Sequence, residues 1–118
     1  MTTTQLVQTG EDIEVNLTCL RGRDFDLEIG FPEKDLSLST FRLQVRDDAD
    51  ALLLEFASAD GSIELFKDTD MDRLKLFRIG AQITLPTGFH RYELVENQLG
   101  RLDTTLKGFF IVKPTVTV

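Results

Sequence analysis

The sequence predicts an all-β fold in which antiparallel strands form a sandwich. Apolar and polar residues alternate along most of the 118-residue chain, and turn residues recur about every eight to twelve positions. No segment has the spacing of an amphipathic helix. Because alternation sends neighbouring side chains to opposite faces of a strand, each segment has one buried and one wet face. About seven to nine short strands of this kind are typical of a sandwich.

Strict alternation predicts the first three strands, over residues 13–19, 25–31 and 41–45. In the first of them the single cysteine, Cys19, is in phase with apolar residues. A free cysteine on an apolar face behaves as a small hydrophobic residue. We therefore expect Cys19 to point inward and to be unpaired.

A tight hairpin is predicted after the fourth strand, residues 52–56. The turn sequence is Ala59-Asp60-Gly61, and Asp-Gly favours a two-residue hairpin because glycine tolerates a positive φ. Residues 62–66 are then expected to pair back onto the fourth strand.

The next segment changes phase. Leu74 and Leu76 alternate together, whereas Phe77 and Ile79 fall on the opposite phase. An extra residue in one strand produces such a switch, so we expect a β-bulge here. Residues 80–85 are compatible with one short helical turn.

The last two strands are predicted over residues 89–95 and 102–112, separated by a turn. The final strand ends in four consecutive apolar residues, so it is apolar on both faces. A domain of this size can cover only one face of that strand with its own core. The candidate interaction surface consists of Phe109, Phe110, Ile111 and Val112.

Length and charge bound the function. The chain has room for one domain, expected over residues 12–118 after a flexible segment at 1–11. Its net charge is −7, and residues 47–72 are strongly acidic whereas residues 73–118 are basic. An acidic domain repels phosphate, so nucleic-acid binding is disfavoured. No apolar run has the length of a membrane span, so no membrane contact is expected.

Few residues are suited to catalysis or metal binding. Asp68, Asp70 and Asp72 begin like a calcium loop, but Arg73 and Ile79 stand where an EF-hand needs glycine and glutamate. A looser calcium site at this loop stays open.

One histidine and one cysteine leave no basis for a zinc site or a histidine-based triad. The histidine, His90, lies in a predicted strand and is expected at the surface. We expect no enzymatic activity, no metal and no cofactor.

Four short motifs occur in order along the chain. They are Arg21-Gly22-Arg23-Asp24-Phe25, Asp35-Leu36 with residues 40–47, Leu85-Pro86-x-Gly88 with Tyr92-Glu93-Leu94, and Leu106-x-Gly108-x-Phe110-x-Val112 with Thr115-Val116-Thr117 closing. Together they resemble the small immunoglobulin-like β-sandwich domains of tailed-phage and prophage tail modules, similar to the N-terminal domain of upper baseplate proteins. The resemblance covers about residues 12–117.

The resemblance implies an immunoglobulin-like fold and a non-enzymatic structural role in a phage tail or baseplate. The expected partners are other tail or baseplate proteins, with a homo-oligomer as a further possibility. The expected location is the virion, assembled in the cytoplasm of the bacterial host. An alternative is a small ligand- or carbohydrate-binding sandwich module. The chain departs from the usual pattern at residues 32–39, which lack a glycine before the aromatic strand, and at the acidic stretch 66–73.

The inward position of Cys19 is testable. We expect Cys19→Ser to lower the free energy of unfolding by about 1–3 kcal/mol, because a buried hydroxyl would lack an assured partner. A thiol reagent should react slowly with the native protein and quickly with the protein in urea. Rapid labelling of the native protein would contradict this prediction.

Overall fold

A computed structural model describes residues 4–8, 13–32 and 34–114. These residues form nine strands in two packed sheets, with no α-helix among them, which confirms the predicted sandwich. The strands are β1 (Thr4–Val7), β2 (Leu17–Leu20), β3 (Phe25–Phe31), β4 (Ser39–Arg46), β5 (Leu52–Ala57), β6 (Ile63–Lys67), β7 (Asp72–Arg78), β8 (Gly88–Gln98) and β9 (Arg101–Lys113).

The strand order gives an immunoglobulin-like sandwich. The four-stranded sheet has the order β1-β3-β7-β6, and the five-stranded sheet has the order β2-β9-β8-β4-β5. Neighbouring strands are antiparallel except at two edges, where β1 runs parallel to β3 and β2 runs parallel to β9. The sandwich thus includes β1, which precedes the expected start of the domain at residue 12.

The core lies between the inner faces of the two sheets. Phe25 of the four-stranded sheet contacts Phe56 and Phe110 of the five-stranded sheet, with ring centroids 5.5 Å and 5.3 Å apart. Tilted aromatic pairs at this separation contribute beyond their buried area. Cys19 lies in the same core with 6% of its surface exposed, as expected, and burial raises the pKa of its thiol to about 11.

The predicted hairpin at Asp60-Gly61 is wrong. A turn is present, and Gly61 has a φ of 82°, but β5 and β6 belong to different sheets and do not pair. The Asp60 carboxylate accepts hydrogen bonds from Ser62 and from Arg78 (2.8 Å), while Arg78 also donates to the Glu55 carbonyl oxygen (2.6 Å). These bonds direct the chain across the sandwich instead of back along β5.

The bulge expected near Phe77 is also wrong. β7 pairs with β3 from Asp72 to Arg78 without a register shift. Phe77 lies opposite Asp26, on the side of the four-stranded sheet that points away from the core. Register shifts occur instead in the β4–β5 and β8–β9 pairs. The expected helical turn is present as a 3-10 turn at Gly80–Gln82.

His90 is buried, contrary to the expected surface position. It lies on the inner side of β8, where its Nε2 atom is 2.7 Å from the carbonyl oxygen of Pro86. A polar side chain is tolerated inside a protein when it has such a partner. The ring therefore fixes the turn that precedes β8.

The segment before β2 crosses β9 at a glycine. The Tyr92 hydroxyl donates a hydrogen bond to the Val15 carbonyl oxygen (2.5 Å), and burial raises the pKa of Tyr92. Gly108 is the register partner of Tyr92 and has a φ of 151°. A Cβ atom at this position would overlap the Val15 carbonyl group. Tyr92 and Gly108, which belong to two of the sequence motifs, thus both lie against the Val15 carbonyl group.

We expect Gly108→Ala to lower the free energy of unfolding by at least about 3 kcal/mol, because backbone strain and a steric overlap add together. Gly61→Ala is the matched control, since Gly61 also has a positive φ but has open space around it. The control should lose only about 1–2 kcal/mol. Urea unfolding measures both values, and equal losses would contradict the contact described for Gly108.

Candidate interaction surface

The outward-pointing side chains of the five-stranded sheet form a continuous surface, here called the outer face. Alternation places every second residue of β8 and β4 on it, and the register aligns these residues in rows with their β9 partners on both sides of the register shift. From the start of β8 to its end, the rows are Ile111 with Phe89 (the aromatic row), Phe109 with Arg91 and Arg46 (the basic row), Lys107 with Glu93 and Gln44 (the mixed row), Thr104 with Val95 and Arg42 (the valine row), and Leu102 with Asn97 and Thr40 (the leucine row).

An exposed aromatic pair lies at one end of the outer face. Phe89 and Phe109 are 65% and 45% exposed, and their rings meet edge to face with centroids 5.7 Å apart. Ile111 is the register partner of Phe89, and the exposed Leu20 of β2 lies opposite Lys113, one row beyond Ile111. We call these four residues the aromatic patch. Large apolar side chains clustered on a rigid surface are typical of contact sites.

The structure divides the four residues that the sequence selected. Phe110 and Val112 are 0% and 2% exposed and belong to the core. Phe109 and Ile111 lie on the opposite side of β9 and belong to the outer face. The strand is thus apolar on both faces as expected, but only half of the selected residues can touch a partner.

Sequence reasoning missed Phe89 and Leu20 as surface residues. The signal for Phe89 was its phase, since it is in phase with the charged residues Arg91 and Glu93 of the same strand. Leu20 had the same signal, since it is in phase with Asn16 and Thr18 and out of phase with Cys19. Its place at the end of the patch follows from the parallel β2–β9 register, which joins residues about ninety positions apart and sets Leu20 opposite Lys113.

A shallow polar groove of about 460 Å³ lies at the centre of the outer face. Arg46 donates to the Asp50 carbonyl oxygen and to the Gln44 side chain, both at 2.9 Å. Gln44 in turn donates to Glu55 at 2.6 Å. Arg91 makes a longer contact, 3.4 Å, to a backbone carbonyl oxygen. The groove therefore presents fixed polar side chains that contact one another.

The acidic loop that began like a calcium site has other contacts. Arg73 binds Asp68 at 3.0 Å, while the Asp72 carboxylate accepts bonds from Lys67 (3.2 Å) and from the Leu36 amide (2.9 Å). Hydrogen bonds from Thr69 and Arg73 lower the pKa of Asp68.

Among the described residues, no three histidine, cysteine or acidic side chains are grouped to hold a metal ion. The described part of the chain contains no helix long and apolar enough to cross a membrane.

Comparison with known proteins gives little. No family model and no curated protein matches the sequence. Among solved structures the chain is similar to a cysteine protease inhibitor from Entamoeba histolytica, with 8% sequence identity, coverage of 94% of this chain and 97% of the other, and a TM-score of 0.42. A likeness at this level supports no functional argument.

Two neighbouring phenylalanines on β9 test the assignment of its faces. We expect Phe110→Ala to lower the free energy of unfolding by about 3–5 kcal/mol, because it opens a cavity between the sheets. Phe109→Ala should cost no more than about 1 kcal/mol, because its ring is half exposed. Chemical denaturation of the two variants gives the comparison, and similar losses would place Phe109 in the core as well.

Proposed function

We propose that this protein is a non-enzymatic structural protein of a phage or prophage tail or baseplate, an assembly module that mediates protein–protein contacts through its outer face. The observation that carries the proposal is the exposed Phe89–Phe109 pair on the outer face. The setting in a tail comes from the resemblance of the sequence motifs. In that setting the protein assembles in the host cytoplasm and is retained in the virion.

Apolar burial gives the aromatic patch its value as a contact site. Removing apolar surface from water contributes about 25 cal/mol per Å², and phenylalanine is among the residues enriched at interfaces. Both rings stand on long strands, and β8 pairs with β9 along its whole length. Binding therefore requires little ordering of the backbone, which is a main cost of association.

Charged side chains border the aromatic patch. Arg91, Lys107 and Lys113 are exposed beside it on β8 and β9. An apolar centre with a charged border is the common anatomy of protein interfaces. The charges favour a partner that presents acidic side chains opposite them.

The positions of the reactive side chains support a non-catalytic role. Cys19 and His90 both lie on the inner side of the five-stranded sheet. Burial raises the pKa of the Cys19 thiol to about 11, which disfavours the reactive thiolate. At the centre of the outer face, Arg46 donates to Gln44 and to the Asp50 carbonyl oxygen, and Gln44 donates to Glu55.

The polar groove favours a second candidate, a small ligand- or carbohydrate-binding module. Its arginine, amide and carboxylate groups offer fixed donors and acceptors, as a sugar requires, and exposed aromatic rings lie on the same sheet. Binding of the isolated protein to defined glycans on an array, combined with its absence from virions, would favour this candidate over the assembly module.

Mass spectrometry of purified virions tests the assembly module. We expect the protein at a fixed ratio to the tail proteins. Phe89→Ser should reduce its incorporation by at least about tenfold, because it removes an exposed aromatic anchor. Leu99→Ser is the control, since Leu99 is an exposed turn residue outside the outer face. Virions that lack the protein, or that incorporate Phe89→Ser normally, would overturn the proposal.

A further inference from the structure

We infer that the outer face binds a second copy of this chain, in a symmetric dimer whose two outer faces pack against each other. The inference rests on the proposed function for its use of the outer face as a contact surface, and it names the partner. It is carried by the order of the rows on that face, which is self-complementary.

The symmetry axis that fits runs across the strands between the basic row and the mixed row. Rotation by 180° about this axis brings the two outer faces together with their strands antiparallel. Each row then meets the row at the same distance on the other side of the axis. A two-fold interface of this kind is reciprocal, so each contact occurs twice.

Charges match in this arrangement. Arg91 of the basic row faces Glu93 of the second copy, and Glu93 faces Arg91 of the second copy, because both residues lie on the central strand β8. On β9, Phe109 faces Lys107 of the second copy, which suits a contact between a cation and an aromatic ring. On β4, Arg46 faces the uncharged amide of Gln44 of the second copy.

Apolar residues also meet apolar or small ones. The aromatic row faces the valine row, so Phe89 lies against Val95 of the second copy and Ile111 against Thr104. The rings that are exposed in one copy are thereby covered by the other. The face thus provides both halves of its own interface.

Shifting the axis by half a row spacing reverses the electrostatics. An axis through the basic row would place Arg91 against Arg91, and an axis through the mixed row would place Glu93 against Glu93. Like charges facing each other across an interface cost several kcal/mol. The charges therefore select one register, and the aromatic row supplies the apolar contact in it.

The expected dimer is weak. The outer face spans about 19 Å across its five strands, and the rows cover about 27 Å along them, given the usual spacing of strands and residues. A footprint of this size is at the low end for specific interfaces. Because its charged contacts lie near solvent, the dimer should weaken as salt increases.

A charge-exchange experiment tests the inference with sedimentation velocity across a range of protein concentrations. The wild type should dimerise with increasing concentration. Arg91→Glu alone and Glu93→Arg alone should each raise the dissociation constant at least about tenfold, since each places like charges together. An equimolar mixture of the two variants should dimerise again, because reciprocal contacts then join opposite charges. The double variant Arg91→Glu/Glu93→Arg should also dimerise.

Matched controls lie on the outer face of the other sheet, where Lys75 and Glu64 are register partners. Lys75→Glu and Glu64→Arg make the same charge changes and should leave the dimer unchanged. A wild type that stays monomeric, or single variants whose mixture does not recover dimers, would overturn the inference. Either result would leave the proposed function untouched, because mass spectrometry of virions tests it separately. Conversely, a protein that dimerises but is absent from virions would overturn the tail role and leave the dimer standing.

Discussion

The contact of Phe25 with Phe56 and Phe110 is the interaction on which the rest of the structure depends. It joins the two sheets, since Phe25 belongs to the four-stranded sheet and the other two rings belong to the five-stranded one. With Phe110 fixed in the core, the pleat of β9 leaves Phe109 and Ile111 outside. The same constraint therefore defines the core and the outer face, and it explains why one apolar stretch serves both.

The alternation in the sequence was enough to predict the sandwich and the inward position of Cys19, because period two fixes which side chains share a face. It could not predict which strands pair. The turn at Asp60 looks like a hairpin locally, yet the bonds from Ser62 and Arg78 send the chain to the other sheet. Phe77 is an apolar residue on the outward side of a regular strand. In the sequence, such a residue looks the same as the change of phase that a bulge produces.

The sequence identified only half of the residues that form the candidate interaction surface, because it does not show how the strands pair. The run from Phe109 to Val112 identified the strand, but a run apolar at every position does not say which residues face out. The answer requires the register with β8 and β2, in which Phe89 and Leu20 complete the aromatic patch. The order of the charged rows depends on the same register and cannot be read from the number of charges alone. The net charge is a property of the composition, whereas the positions of the charges on the outer face are set by strand pairing.

The parallel pairing of β2 with β9 has a consequence for biosynthesis. β9 follows all the other described strands in the chain, and it lies between β8 and β2 in the sheet. Until residues 101–113 leave the ribosome, β8 lacks one neighbour and β2 has none. Contacts between such distant residues form slowly. Since Phe109 and Ile111 arrive with that strand, a nascent chain lacks part of the aromatic patch, and association through the complete patch is confined to chains that have finished folding.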